Sequence, residues 1–282
     1  MIVPPFPHVT VRALPLRAVL LLAVLLVVAG CSGAAAPTAP LPAPPRSMPV
    51  LRPEIVAEVP HDPTAFTQGL EVDGDDIVEG TGLEGRSQLR ELDPATGAVR
   101  RAVPLPDRYF GEGLTVVGAR IWQLTWQDGV ALEWDRATLA LRSEVPLDGE
   151  GWGLCHEDSG DSGGRLVRSD GTDRLRFHAP DTFAEQGSVA VTLDGAPVTR
   201  LNELECVGGE VWANVWQTDR IVRIDPADGR VTAVVDAAGL LDPARRAGTD
   251  VLNGIAAVPG SSGEFLITGK LWPVMFRVRF VG

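Results

Sequence analysis

From about residue 54 onward, apolar and polar residues alternate over short runs and almost never recur at the three- and four-residue spacing of an amphipathic helix, which predicts strands. Runs such as Glu54-Ile-Val-Ala-Glu-Val59 and Val231-Thr-Ala-Val-Val235 are separated by the turn pairs Asp73-Gly74, Asp128-Gly129, Asp170-Gly171 and Asp228-Gly229. Such pairs between alternating runs mark tight hairpins. The pattern is that of an antiparallel meander.

Self-comparison brings out one line five times: Phe66-Thr-Gln-Gly-Leu70, Phe110-Gly-Glu-Gly-Leu114, Gly151-Trp-Gly-Leu154, Leu201-Asn-Glu-Leu204 and Leu252-Asn-Gly-Ile255. The copies lie about 40 to 50 residues apart, the spacing of propeller blades. Each continues into a second strand carrying small or aromatic residues, such as Gln123-Leu-Thr-Trp126, Ala213-Asn-Val-Trp216 and Thr268-Gly-Lys-Leu-Trp272. The last copy ends at Gly282 without a fourth strand, and Glu54–Val59 has the alternation to supply it. The expectation is an all-β chain: a single five-bladed β-propeller over residues 54–282, its last blade closed by its own N-terminal strand, which protects both edges.

The segment ahead of this body changes the setting. Arg12 and Arg17 precede the apolar run Ala18–Ala29, which is too short to span a bilayer comfortably and reads as a signal-peptide core. It ends in Val28-Ala-Gly-Cys31, similar to the bacterial lipobox whose cysteine is acylated. Residues 1–31 are therefore expected to be a lipoprotein leader and 32–53 a Pro/Ala-rich tether, giving an exported, membrane-anchored, extracytoplasmic protein with Cys31 as its lipidation site. The formal net charge is −12 and becomes more negative once the two leader arginines are removed, which argues against a nucleic-acid partner. Cys155 and Cys206 remain in the body, either as one disulfide, as an oxidising compartment favours, or as two separate buried thiols. A closed ring needs no second copy, so a monomer is expected.

In a propeller the first strand of each blade lines the axis. Equivalent positions then converge: Gln68, Glu112, Trp152, Asn202 with Glu203, and Asn253. The second-strand clusters add Trp126, Trp216, Lys270 and Trp272 to the same mouth. A carboxylate, amides, a lysine and indoles in one pocket make the default site. The plainer readings are packing for the indoles and an ion pair with Glu112 or Glu203 for Lys270. Gly160-Asp-Ser-Gly-Gly164 matches the nucleophile segment of trypsin-like proteases, but His8, His61, His156 and His178 sit in no context that supplies a base and its orienting acid, so the segment reads as a glycine-rich hairpin loop. The histidines also lack zinc-ligand spacing. A calcium cage of Glu112, Asn202 and Asn253 stays open as a rival.

With these residues assembled, the chain resembles the glutamine cyclotransferase family, the plant and bacterial type of glutaminyl-peptide cyclotransferase. The resemblance runs from Phe66 to Trp272 through eight motifs in order, including Phe-Thr-Gln-Gly-Leu at Phe66, Phe-Gly-Glu-Gly-Leu-Thr at Phe110, Glu-Gly-Trp-Gly-Leu at Glu150, Leu-Asn-Glu-Leu-Glu at Leu201 and Thr-Gly-Lys-Leu-Trp-Pro at Thr268. It implies conversion of the N-terminal glutamine of peptides to pyroglutamate with loss of ammonia, with no cofactor or catalytic metal. It further implies Glu112 as acid and base, and Gln68, Trp126, Trp152, Asn202, Trp216 and Lys270 as the substrate pocket. Charge developing on the carboxamide oxygen needs a donor, and Lys270 or the Asn202 amide is the catalytic candidate. Two other classes fit the same mouth: a calcium-dependent lactonase-like propeller and a non-catalytic peptide-binding propeller.

Overall fold

Alternating, turn-punctuated segments of this kind can only bury one face by stacking sheets, and the computed structural model, which describes residues 48–158, 160 and 163–282, is built almost wholly from strands. The leader, Cys31, most of the tether, and Asp161 and Ser162 of the glycine-rich loop lie outside the described residues. Among the described residues no helix is long and apolar enough to cross a membrane.

Strand β1 spans Val50–Pro60. Strands β2 to β5 (Thr67–Asp73, Asp76–Thr81, Gln88–Leu92, Val99–Pro104) form one four-stranded antiparallel sheet in sequence order. Strands β6 to β9 (Gly111–Val117, Arg120–Thr125, Val130–Asp135, Leu141–Pro146) form a second, and β10 to β13 (Leu154–Glu157, Arg165–Ser169, Arg174–His178, Glu185–Ala190) a third. A two-stranded ribbon, β14 and β15 (Thr192–Leu193, Ala196–Pro197), follows. Strands β16 to β19 (Leu201–Val207, Glu210–Val215, Arg220–Ile224, Val231–Asp236) and β20 to β22 (Leu252–Ala257, Glu264–Gly269, Val274–Val281) share an eight-stranded sheet with β1 in the order β16-β17-β18-β19-β1-β22-β21-β20.

That last sheet differs from the expectation of separate blades, and the reason is local. Strand β1 runs antiparallel to β22 from Arg52 to Pro60, as its alternation suggested, but its first residues, Val50 and Leu51, also pair in parallel with Val234 and Val235 of β19. The strand starts at Val50, ahead of the Glu54 boundary read from composition, so Pro53 is a strand residue rather than part of the tether. A proline is tolerated there because the far side of β1 has no partner beyond Leu51.

The first strands β2, β6, β10, β16 and β20 contact one another in a closed cycle around an axis. Glycines make this close approach possible: a Cβ on Gly113 would stand 2.6 Å from the Trp152 carbonyl oxygen, and one on Gly153 only 2.0 Å from that of Asn202. At the next step the axis is filled instead by Glu203, whose carboxylate accepts the backbone N–H of Leu70 (3.2 Å) and of Ile255 (2.7 Å). Apolar clusters lie between successive sheets. One joins Val78 and Leu89 to Leu114, Ile121 and Leu132, and another joins Val167 and Leu175 to Leu204, Val211 and Val222. Each such side chain contributes roughly 1.5–3 kcal/mol on burial. Buried His61 ties the first sheet to the last, bonding Glu79 Oε1 (3.0 Å) and the Trp272 carbonyl (2.9 Å). Cys155 on β10 and Cys206 on β16 form a disulfide with Cα atoms 5.4 Å apart.

Candidate active site

The site begins as a defect in strand pairing. In β2, β6, β16 and β20 the register with the next strand shifts at the same phase, between Thr67 and Gly69, Gly111 and Leu114, Leu201 and Leu204, and Leu252 and Ile255. The extra residues at those shifts include Gln68, Glu112, Asn202 and Asn253. Bulges free a side chain from the ladder and re-aim it.

Gln68, Glu112, Trp126, Trp152, Asn202, Trp216 and Lys270 line one cavity of about 350 Å³, joined by Phe66, Phe110, Gln217, Asp250 and Val251. The rings form its sides. Phe110 meets Phe66 edge-on at 6.1 Å and Trp126 at 5.6 Å, and Trp152 meets Trp216 edge-on at 5.4 Å. Two residues expected at the mouth are elsewhere. Trp272 is buried in the core, donating its indole N–H to the Asp250 carbonyl at 2.9 Å, and Asn253 sits behind Gln68 rather than on the cavity wall. A calcium cage of Glu112, Asn202 and Asn253 is therefore not assembled around this cavity. Glu203 is likewise committed to backbone N–H groups on the axis.

Glu112 is 5% exposed. Gln68 donates from Nε2 to its Oε1 at 3.0 Å, and the Gln68 oxygen in turn faces the Asn253 amide at 3.4 Å, with Asn253 anchored on the Thr67 carbonyl at 3.0 Å. Burial pushes the Glu112 carboxyl well above the usual carboxylate range; the Lys270 charge pulls it down and Glu150 pushes it further up. Lys270, also 5% exposed, is shifted the other way, since burial disfavours its charge against the pull of Glu112 and Asp250. Among the described residues it forms no ion pair with Glu112 or Glu203, and its Nζ stands 4.8 Å from the centre of the Phe66 ring. Asn202 Oδ1 is buried without a hydrogen-bond partner among the described residues.

The arrangement brings a carboxyl and an ammonium, each shifted toward neutrality, to an aromatic cavity. That combination suits proton transfer on a small polar group held between rings. The family model for glutamine cyclotransferases matches residues 22–280. The chain belongs to the glutamine cyclotransferase family. It is 40% identical over 232 residues to the glutaminyl-peptide cyclotransferase of Arabidopsis thaliana, covering 80% of this chain and 70% of that one. The crystal structure of Myxococcus xanthus glutaminyl cyclase superposes with a TM-score of 0.75 at 40% identity, covering 83% of this chain and 98% of the other.

Within this cyclotransferase site, three groups escaped the sequence reading. Glu150 accepts the indole N–H of both Trp126 (3.0 Å) and Trp152 (2.9 Å), as well as the Gln127 amide (2.7 Å). Arg168, wholly buried, holds the loop that carries it, donating to the carbonyls of Glu150 (2.6 Å) and Asp148 (3.0 Å). Phe66 and Phe110 stand beside the polar residues they precede. A period of two was the available signal: Phe66 with Gln68, Phe110 with Glu112 and Glu150 with Trp152 are each two apart, which puts neighbours on one side of an extended chain.

Proposed function

We propose that the chain cyclises the N-terminal glutamine of peptides to pyroglutamate and releases ammonia, with Glu112 as the group that moves the proton. The observation that carries this reading is the buried, upward-shifted carboxyl of Glu112 at the base of an aromatic cavity beside Lys270. Nucleophile and electrophile belong to one substrate, so the enzyme's main task is to hold the five-membered-ring conformer. Freezing that geometry is worth several kcal/mol, on the order of 7–11 in the best intramolecular cases. Trp126, Trp152 and Trp216 grip the methylene stem, and Glu150 keeps two of those indoles from rotating away.

Ionised Glu112 takes a proton from the substrate's α-amine, which attacks the side-chain carboxamide carbon. A carbon–nitrogen bond forms and the carboxamide oxygen becomes an oxyanion. Lys270, which lines the same cavity and whose charge acts on Glu112, stabilises it, an effect typically worth roughly 3 kcal/mol per donor. Glu112 then returns its proton to the departing nitrogen, the original carbon–nitrogen bond breaks, and ammonia leaves. Gln68 Nε2 can only donate, so Glu112 Oε1 stays unprotonated and Oε2 is the oxygen that carries the proton. Gln68 thus orients the carboxylate, and Asn202, on the cavity wall, meets the substrate's amide. No step needs a metal.

The sheets are best read as five blades. Two of them, β16 to β19 and β20 to β22 with β1, are hydrogen-bonded into one sheet through the short parallel contact at Val50 and Leu51. The leader and Cys31 make the chain an exported lipoprotein, monomeric, its body held off the membrane by the tether. The Cys155–Cys206 disulfide supports export, because such bonds persist in oxidising compartments. Fatty-acid labelling that persists in a Cys31→Ser protein would contradict the anchor.

The activity is tested by incubating the full chain, in detergent, with a glutamine-initiated dipeptide amide, with and without chelator, and measuring ammonia and pyroglutamate. Stoichiometric release of both, unaffected by chelator, is expected. No ammonia from several such peptides would remove the reading, and loss of activity with chelator would contradict a metal-independent mechanism.

A further inference from the structure

A second cavity, of about 360 Å³, opens directly beside the first. The two share Gln217, Asp250 and Val251 as a common wall. That wall is rigid. Asp250 N–H donates to the Lys270 carbonyl and Lys270 N–H to the Val251 carbonyl, both at 2.9 Å. On the other side of it, Gln217 adopts a left-handed conformation (φ 60°) that turns the chain sharply between Trp216, which faces the first cavity, and Thr218 and Asp219, which line the second. The sequence therefore places a catalytic wall and a second binding surface on either side of one turn.

A cyclising glutamine fills the first cavity, but the rest of its peptide must leave it. We infer that the second cavity receives the residues that follow the glutamine and that it favours a basic side chain among them. This rests on the cyclotransferase reading. The cavity carries two carboxylates, Asp219 and Asp250, against one guanidinium, Arg246. Arg246 is already engaged, donating from Nε to the Leu241 carbonyl at 3.1 Å and lying 3.8 Å from Asp219. Asp250 makes no ion pair among the described residues; its Oδ1 takes the Val251 N–H at 2.7 Å. An extended peptide advances about 3.3 Å per residue. On this path the residue after the glutamine crosses the Gln217–Asp250 rim and the next enters the second cavity, where Arg246 offsets one of the two carboxylates, a lysine or arginine meets the remaining negative charge and a glutamate meets like charge.

The test compares kcat/KM of the full chain for Gln-Ala-Lys amide and Gln-Ala-Glu amide, each normalised to Gln-Ala amide, at low and high salt. At low salt the lysine peptide should exceed the glutamate peptide by about two- to five-fold, as partly exposed charge pairs allow. Salt should compress that ratio. Asp219→Lys should invert it, which separates this cavity from a general attraction of cations to an acidic protein. Equal kcat/KM for the two tripeptides, or a preference that Asp219→Lys leaves in place, overturns the inference while the cyclotransferase reading stands. Failure to cyclise even Gln-Ala amide overturns that reading and the inference with it.

Discussion

The Gln68 amide donates to Glu112 Oε1 at 3.0 Å, and it does so with its own orientation fixed from behind by Asn253. An amide held in that sense favours the ionised carboxylate and fixes which oxygen remains free. Gln68→Leu should therefore leave Glu112 harder to ionise, lowering kcat by about 10- to 100-fold, the worth of a hydrogen bond to a charged group. The acid limb of the pH–rate profile should move to higher pH. A profile that keeps its position would assign Gln68 to substrate binding alone.

Two further substitutions should move the same limb in opposite directions. The Lys270 charge holds Glu112 down and the Glu150 charge pushes it up. Lys270→Gln therefore raises the Glu112 pKa and shifts the acid limb up, with kcat reduced about 100-fold or more through loss of the oxyanion donor. Glu150→Gln removes a like charge and shifts the limb down. Both indole N–H groups bond the same oxygen, Oε2, so an amide oxygen placed there can still accept both, and the bond lost is the one from the Gln127 amide. The measurement is kcat/KM against pH for both variants.

Stability should also depend on pH through carboxyls that do no chemistry. Glu203 and Glu205 on the axis are pushed well above the usual range, first by burial, and Glu71 is pushed up to about 7, again chiefly by burial. A carboxyl whose folded pKa exceeds its unfolded value binds its proton more tightly when folded. The stability it contributes is full below the unfolded pKa and is lost as the pH rises through the folded one. Thermal midpoints should thus fall from pH 5 to pH 8, and Glu71→Gln should flatten the slope between them. An unchanged slope would remove Glu71 from this role.

The Cys155–Cys206 bridge closes a loop with a sequence separation of 51 and lines a different cavity with Glu71 and Glu205, further along the first strands than Gln68 and Glu112. In the chain-entropy picture a loop of this length is worth about 4 kcal/mol. Reduction, or a Cys155→Ser, Cys206→Ser double variant, should lower the unfolding midpoint markedly while leaving kcat at low temperature near that of the oxidised protein. Loss of activity without loss of fold would place the bridge in the catalytic machinery.

Much of the site could be read from sequence because one line recurs at a fixed phase. Gln68, Glu112 and Asn202 sit at register shifts, Trp152 holds the equivalent place just ahead of β10, and all four meet in one cavity. Trp272 shares the phase of the mouth but not its place. Leu271 turns the chain through a left-handed conformation (φ 61°), and the indole folds over Gly269, where a Cβ would stand 2.3 Å from it. A repeat pattern carries no record of such a reversal. Glu150 was visible as a letter of its motif, yet its hold on two indoles depends on how buried Arg168 sets its loop, a contact between distant residues. The joining of two sheets through Val50 and Leu51 depends similarly on where β1 begins, and Pro53 disguised that start as linker.

The central claim is that Glu112 carries the proton in cyclisation, and Glu112→Gln tests it most directly. Measured by ammonia release from a glutamine-initiated dipeptide amide, its kcat/KM should fall by about 10²- to 10⁴-fold. The acid limb attributable to Glu112 should disappear, while the thermal midpoint stays at or above that of the wild type, because the buried carboxyl is replaced by a neutral isostere. Activity within about threefold of the wild type across the pH range, a difference too small for loss of a proton-transfer group, would contradict the account.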